Sequence, residues 1–238
     1  TYLRDLVSAQ AHSGEQISIL VHQSNLGLFS KVEECETLDR HKINLSRAAV
    51  WARVFFTPIS PIFPILLYRL IKKNKPDILH LHLPNISAFW ALLLPSARRI
   101  PWVIQWQSDV VPPEDQLSFK VFIKIYRYFE RTLLEKSEAI VASSPPYLHS
   151  SRALESFKEK CHVIPLGIDY RYLPKTITDR VLDYSESPLK ILAIGRLTYY
   201  KGFEFLISAL TECDGVQVDF VGKGDQFSKL WSMTKRLR

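Results

Sequence analysis

The chain has 238 residues, 47% of them apolar and 23% charged, and carries a formal net charge of +7 at pH 7. That apolar share excludes a disordered segment, and the length suits one large domain or two modest ones. The basic residues are scattered in short groups, at 71–75, at Arg98 and Arg99 and at 234–238, rather than gathered in one arm, which argues against nucleic acid as a partner. The surplus suits other anions, among them nucleotide diphosphates and the headgroups of an anionic membrane surface.

The chain opens in a helical pattern with Leu3, Leu6 and Val7 on one face and Gly14 placed to end it. A strand is expected at 17–23. The most apolar stretch, 48–71, contains Arg53, Pro58, Pro61 and Pro64, so it reads as a loop feeding a packed helix at 62–74 rather than as a membrane span. A short buried strand follows at 78–83, then a buried helix at 88–94 and a strand at 102–107. Residues 115–136 place Phe119, Phe122, Ile123, Tyr126 and Phe129 near helical spacing with basic residues between them, an amphipathic helix. A strand at 138–144, a proline-started helix at 146–157 and a strand at 162–167 complete a first domain, 1–167.

The polar segment 168–188 reads as a linker. A second α/β unit begins at 189, with a strand at 189–195, a helix at 202–211, a strand at 216–221, the turn "GKGD" at 222–225 and a helix that continues to Arg238. Strands alternating with helices imply an α/β fold with doubly wound parallel sheets. The opening helix has no strand before it and the second unit holds only two strands. The chain therefore reads as a fragment, its N-terminal domain lacking its first strand and its C-terminal domain truncated. Cys35, Cys161 and Cys213 lie far apart, and their odd number suits a reducing, cytoplasmic compartment.

The segment "ILAIGRLTYYKG", 191–202, is a strand that ends at Gly195 and is followed by Arg196 and Lys201 before the next helix. Ligands in open α/β sheets sit at the carboxyl ends of strands, where glycine lets the backbone approach closely. Two cations there could stabilise the charge on a departing diphosphate, or they could be surface residues beside an ordinary turn. The turn at 222–225 also ends a strand, so it either approaches the same ligand or merely reverses the chain. His80 and His82 alternate along one strand and face the same way; without a third ligand at sensible spacing, packing or loop anchoring is favoured over a metal. Cys161 and His162 are strand neighbours facing opposite sides, which argues against a thiol nucleophile.

Several segments in order, 57–85, "WVIQWQSDVV" at 102–111, "EAIVASSPPYLHSS" at 138–151, "HVIPLGID" at 162–169 and 191–210, resemble glycosyltransferase family 4, retaining enzymes of the GT-B fold. The resemblance implies two Rossmann-like domains facing each other across a cleft, the acceptor mostly on the first and a nucleotide diphosphate sugar donor mostly on the second. It implies a phosphate-binding role for Gly195, Arg196 and Lys201, no metal and no cofactor beyond the donor substrate. The acceptor it implies is a glycan or a lipid-linked glycan of a bacterial surface polysaccharide or lipopolysaccharide, reached from the inner face of the cytoplasmic membrane.

Where the family commonly has Trp-His-Ser-Asp, this chain has Trp106, Gln107, Ser108 and Asp109. Gln107 and Asp109 are thus the candidates for the reaction centre, yet glutamine hydrogen-bonds without carrying charge or exchanging a proton. Asp109 is either an acceptor-side carboxylate or a loop cap. The rival reading is a degenerate GT-B domain that binds a glycan or a partner without catalysis, and Gln107 is the residue that favours it.

Overall fold

The computed structural model describes residues 2–38, 41–54, 57–110, 117–167 and 188–236. Its contacts divide the chain into two compact units, Thr1–Leu173 and Pro174–Arg238. All but the last residue of the expected linker at 168–188 lies outside the described residues.

In the first unit, α1 (Tyr2–His12) buries Val7, Ser8 and Ala11. Gly14 ends it as expected, at a φ of 87° that a side chain would oppose. Three strands follow: β1 (Ser18–Leu26), β2 (Lys31–Leu38) and β3 (His41–Val50). β3 lies in the middle, parallel to β1 and antiparallel to β2. Neither β2 nor β3 is expected from the sequence. The β2 sequence is broken by a lysine and three glutamates, and β3 mixes charged and polar residues with alanines, so neither signals strand strongly.

The proline-rich passage is more ordered than a loop. β4 (Ala52–Val54) pairs antiparallel with β5 (Thr57–Ile59), leaving Pro58 in a two-stranded ribbon. Pro64 then sits in the first turn of α2 (Phe63–Asn74), where a missing N–H costs nothing. Phe63 and Leu66 of α2 pack on Ala48 of β3, with Leu20 of β1 alongside.

The second sheet of this unit is all parallel, in the order β6 (Leu79–Leu83), β7 (Trp102–Trp106), β8 (Ala139–Ala142) and β9 (Cys161–Val163). Period-two alternation sends Trp102, Ile104 and Trp106 to one face, where they are buried with Leu83, Ile140 and Ala142. α3 (Trp90–Leu93) and α4 (Leu117–Lys136) cover that face through Ala91, Leu92, Leu133 and Leu134. A 3₁₀ turn at Ile86–Phe89 starts the expected helix at 88–94, and α5 (Pro145–Ser150) with a 3₁₀ turn at Glu155–Lys160 replaces the continuous helix at 146–157.

Cys161 is held against this core by a hydrogen bond from Sγ to the Phe157 carbonyl oxygen at 3.2 Å, and burial raises its thiol pKa. Such a group is a poor nucleophile. Among the described residues no helix is long and apolar enough to cross a membrane.

The second unit is a β-α-β-α array. β10 (Leu189–Ile194) and β11 (Val216–Val221) are parallel and in register from Leu189↔Val216 to Ile194↔Val221. Between them run a 3₁₀ turn at Tyr199–Lys201 and α6 (Phe203–Ala209), and α7 (Phe227–Lys235) follows β11. Leu197, Phe203, Ile207 and Leu230 form its core, with Ala193, Phe220 and Met233 packed against them. The opposite face of the pair leaves Leu192, Ile194 and Val221 exposed.

Candidate functional site

The carboxyl ends of β10 and β11 meet around an open depression of about 600 Å³, lined by Ile194, Gly195, Arg196, Val221, Gly222, Lys223 and Gly224. Its floor is backbone against backbone. Gly195 N–H donates to the Val221 carbonyl at 3.0 Å, Leu197 N–H to that of Lys223 at 3.0 Å, and Gln226 N–H to that of Leu197 at 2.9 Å. A Cβ on Gly222 would lie 1.9 Å from the Gly195 carbonyl oxygen, and one on Gly224 would lie 2.2 Å from that of Leu197. These distances are far inside van der Waals contact, so both positions require glycine. At Gly195 a Cβ would come 3.1 Å from the Phe203 ring, a tight but softer contact.

Two cations stand over this floor. Arg196 and Lys223 are exposed, and among the described residues neither has an ion pair. Unpaired cations beside a glycine-built strand edge suit a phosphate or diphosphate, because the ligand keeps strong donors without competing carboxylates. Gly195 and Arg196 from the sequence expectation are brought together here, and the turn at 222–225 joins them. Lys201 is not among the lining residues. It sits on the 3₁₀ turn with its N–H bonded to the Thr198 carbonyl at 3.1 Å and its Nζ 5.8 Å from the Tyr200 ring centroid. The helix expected near Gly202 starts only after that turn, because Gly202 takes a left-handed φ of 68°.

The first unit presents a different edge. Asp109, three residues past the end of β7, accepts at Oδ1 from Trp106 Nε1 at 3.0 Å, Tyr147 Oη at 2.8 Å and Ser151 Oγ at 2.7 Å. Its own N–H donates to Tyr147 Oη at 2.6 Å. Of the two roles open to Asp109 in the sequence, this geometry favours the loop anchor. Burial, and then the hydrogen bond to Asp109, push the Tyr147 hydroxyl up to about 12, so it stays a donor.

Beside this anchor α4 buries a carboxyl group. Glu130 is 6% exposed, and among the described residues its Oε1 has no hydrogen-bond partner. Desolvation, with the nearby Asp109 charge adding to it, raises Glu130 from 4.5 to about 7.

Gln107 is exposed at the carboxyl end of β7. Its N–H donates to the Leu83 carbonyl at 3.0 Å, and its Nε2 lies 3.4 Å from His82 Nδ1. The His80 and His82 rings have centroids 4.6 Å apart, and burial, followed by the neighbouring His80, lowers His82 to about 4. Among the described residues no group of three potential metal ligands forms.

Sequence reasoning did not find Tyr147, Ser151 or Glu130. Glu130 had a signal: Ile123, Tyr126, Glu130, Leu133 and Leu134 share one helical phase, and a glutamate in that phase is buried.

Residues 1–167 match the glycosyl transferase 4-like domain. Among curated proteins, the D-rhamnosyltransferase WbpZ of Pseudomonas aeruginosa is 32% identical over 139 residues, 58% of this chain and 35% of that protein. The O-antigen chain mannosyltransferase C of Escherichia coli is 32% identical over 155 residues, 64% of this chain and 39% of that protein. The aligned part is thus under two fifths of the length of either relative. Among solved structures, the sucrose-phosphate synthase of Thermosynechococcus elongatus superposes with a TM-score of 0.70 at 16% identity, over 99% of this chain and 61% of that one, a likeness of fold. The family match spans the segments at 57–85, 102–111 and 138–151 and most of the one at 162–169, and the chain belongs to the glycosyl transferase 4-like family.

Proposed function

We propose that this chain is part of a retaining glycosyltransferase that moves a sugar from a nucleotide diphosphate donor to a glycan or lipid-linked acceptor in surface-polysaccharide assembly. The observation that carries the reading is the glycine-floored depression with Arg196 and Lys223 above it at the ends of β10 and β11. The names of the curated relatives, a rhamnosyltransferase and an O-antigen mannosyltransferase, support a hexose-type sugar and a polysaccharide product.

In this reading the diphosphate binds against Arg196 and Lys223, and their positive charge stabilises the leaving group as the glycosidic bond breaks. Lys201 serves from the adjoining turn. No metal is required, because the protein cations do the neutralising. In the first unit Gln107 is the candidate for contact with a sugar, and Asp109 holds its loop in place.

Titration calorimetry of the full-length protein with uridine, guanosine and thymidine diphosphates tests it. One of them should bind, and Arg196→Ala should weaken that binding about tenfold or more, as expected for a charge-assisted contact. Unchanged affinity in the variant removes the proposed role of the depression.

The enzyme is proposed to work at the inner face of the cytoplasmic membrane. Lys124, Ile125, Arg127, Tyr128 and Arg131 form the exposed face of α4, a basic and partly apolar strip suited to an anionic headgroup layer. Vesicles with phosphatidylglycerol should sediment the protein, and vesicles of phosphatidylcholine alone should not; equal behaviour in both speaks against the contact.

A further inference from the structure

The parallel pair β1 and β3 ends in an apolar tip. Leu26, Leu28, Phe29 and Trp51 are 63%, 71%, 86% and 53% exposed. The loop that carries the first three is pinned. Gly27 N–H donates to the Val50 carbonyl at 2.9 Å, Gln23 Nε2 to that of Phe29 at 2.8 Å, and Ala49 N–H to Ser30 Oγ at 2.8 Å. These bonds lay residues 27–30 against the end of β3, just before Trp51, so the four side chains share one end of the pair. A loop held from beneath while two leucines, a phenylalanine and a tryptophan meet water is built to lose that water against an apolar partner.

A cation stands at the base of the tip. Arg53 is exposed and donates from Nη2 to the carbonyl of Ser24, two residues before Leu26. Among the described residues it has no ion pair, and its guanidinium keeps further N–H donors for a ligand. It lies close enough to His22 that its charge, after burial, lowers the His22 pKa.

His22 ties this end of the pair to the four-stranded sheet. Its Nε2 lies 3.0 Å from Ser87 Oγ, in the turn that follows β6, and Leu83 at the end of β6 accepts the Gln107 N–H just past β7. A line of contacts thus runs within one unit from the end of β7, through His22 and Arg53, to the tip. Along it the surface changes from polar to cationic to apolar.

We infer that the tip made by Leu26, Leu28, Phe29 and Trp51, with Arg53 at its base, binds the lipid end of the acceptor: a long aliphatic chain joined through a phosphate to the sugar that is extended. The inference rests on the glycosyltransferase reading and deepens it, because of the two acceptor classes, a free glycan and a lipid-linked one, only the second uses an apolar surface beside a cation. The phosphate pairs with Arg53, and the chain covers the tip, where removal of apolar area from water supplies the affinity. The ligand order of chain, phosphate and sugar follows the protein order of tip, Arg53 and strand edge.

Dodecyl phosphate below its micelle concentration is the probe, read by calorimetry on the full-length protein. It should bind about tenfold or more tightly than butyl phosphate. Phe29→Ser should weaken it about tenfold, Leu28→Ser about fivefold and Arg53→Gln about five- to tenfold, with the urea midpoint of each variant near that of the parent because all three side chains are exposed. Arg196→Ala, in the other unit, should leave it unchanged.

Equal affinity for the two alkyl phosphates, or full affinity in both Phe29→Ser and Leu28→Ser, overturns the inference. Loss of binding in Arg196→Ala overturns it too, because the probe then sits at the glycine-floored depression. If Phe29→Ser abolishes sedimentation with phosphatidylglycerol vesicles yet leaves dodecyl phosphate binding intact, the tip serves the bilayer and the inference fails. If the parent protein binds no nucleoside diphosphate, the glycosyltransferase reading fails while the dodecyl phosphate series still decides the tip.

Discussion

The two strand edges hold their loops by opposite means. At the ends of β10 and β11 the turn is fixed by what is missing: Gly222 and Gly224 bring one backbone against another, and main-chain bonds join the two directly. At the end of β7 the loop is fixed by what is present, a carboxylate that gathers an indole, a phenol and a serine hydroxyl from residues 3 to 42 positions away. The first edge leaves its side chains free for a ligand. The second spends its polar groups on itself and offers Gln107 as the outward-facing residue. A backbone-built edge should therefore fail when an atom is added, and a side-chain-built edge when a charge is added or lost.

The strongest way to break the comparison is Gly222→Ala. One methyl group aimed at the Gly195 carbonyl should separate β10 from β11, abolish measurable nucleoside diphosphate binding and lower the stability of the second unit by about 3 kcal/mol in urea unfolding. Gly167→Ala is the control, since a Cβ there meets nothing within 4 Å among the described residues, and it should change neither quantity. Retained binding in Gly222→Ala would show that the floor is soft.

A smaller effect sharpens the other half. Glu130 titrates near 7 in the folded chain against 4.5 ordinarily, so between those values the folded state holds a proton that the unfolded state has released. Stability should fall as pH rises from about 4.5 to about 7 and level off above that. The fall reflects a buried carboxylate forced to ionise out of reach of water and near the Asp109 charge, with Tyr126 and Arg127 offsetting part of the cost. Between pH 5 and pH 8 the melting midpoint should drop by about 5 °C more in the parent than in Glu130→Gln. Parallel curves for the two proteins would exclude Glu130 as the source.

Much of this was legible in the sequence, for reasons that differ by element. β6, β7, β8, β10 and β11 announce themselves as short apolar runs, and α2 and α4 by their spacing, because each buries a whole face. The β2–β3 pair escaped because its edge strand is charged, and the β4–β5 ribbon because prolines mask it. The position of Arg196 just past a strand end could be read from the apolar run before it. The role of Asp109 could not, since Tyr147 and Ser151 reach it only through the tertiary fold. The requirement at Gly222 is hidden for the same reason: the atom it would strike belongs to Gly195, on the neighbouring strand.

That glycine floor also shapes how the protein can evolve. Any codon change that replaces Gly222 or Gly224 adds a Cβ where there is no room, so shape at this turn is closed to gradual variation. Lys223 lies between them with its side chain exposed, and its replacement meets no such barrier. Selection can therefore alter the charge displayed at this edge, one residue at a time, without redrawing the surface beneath it.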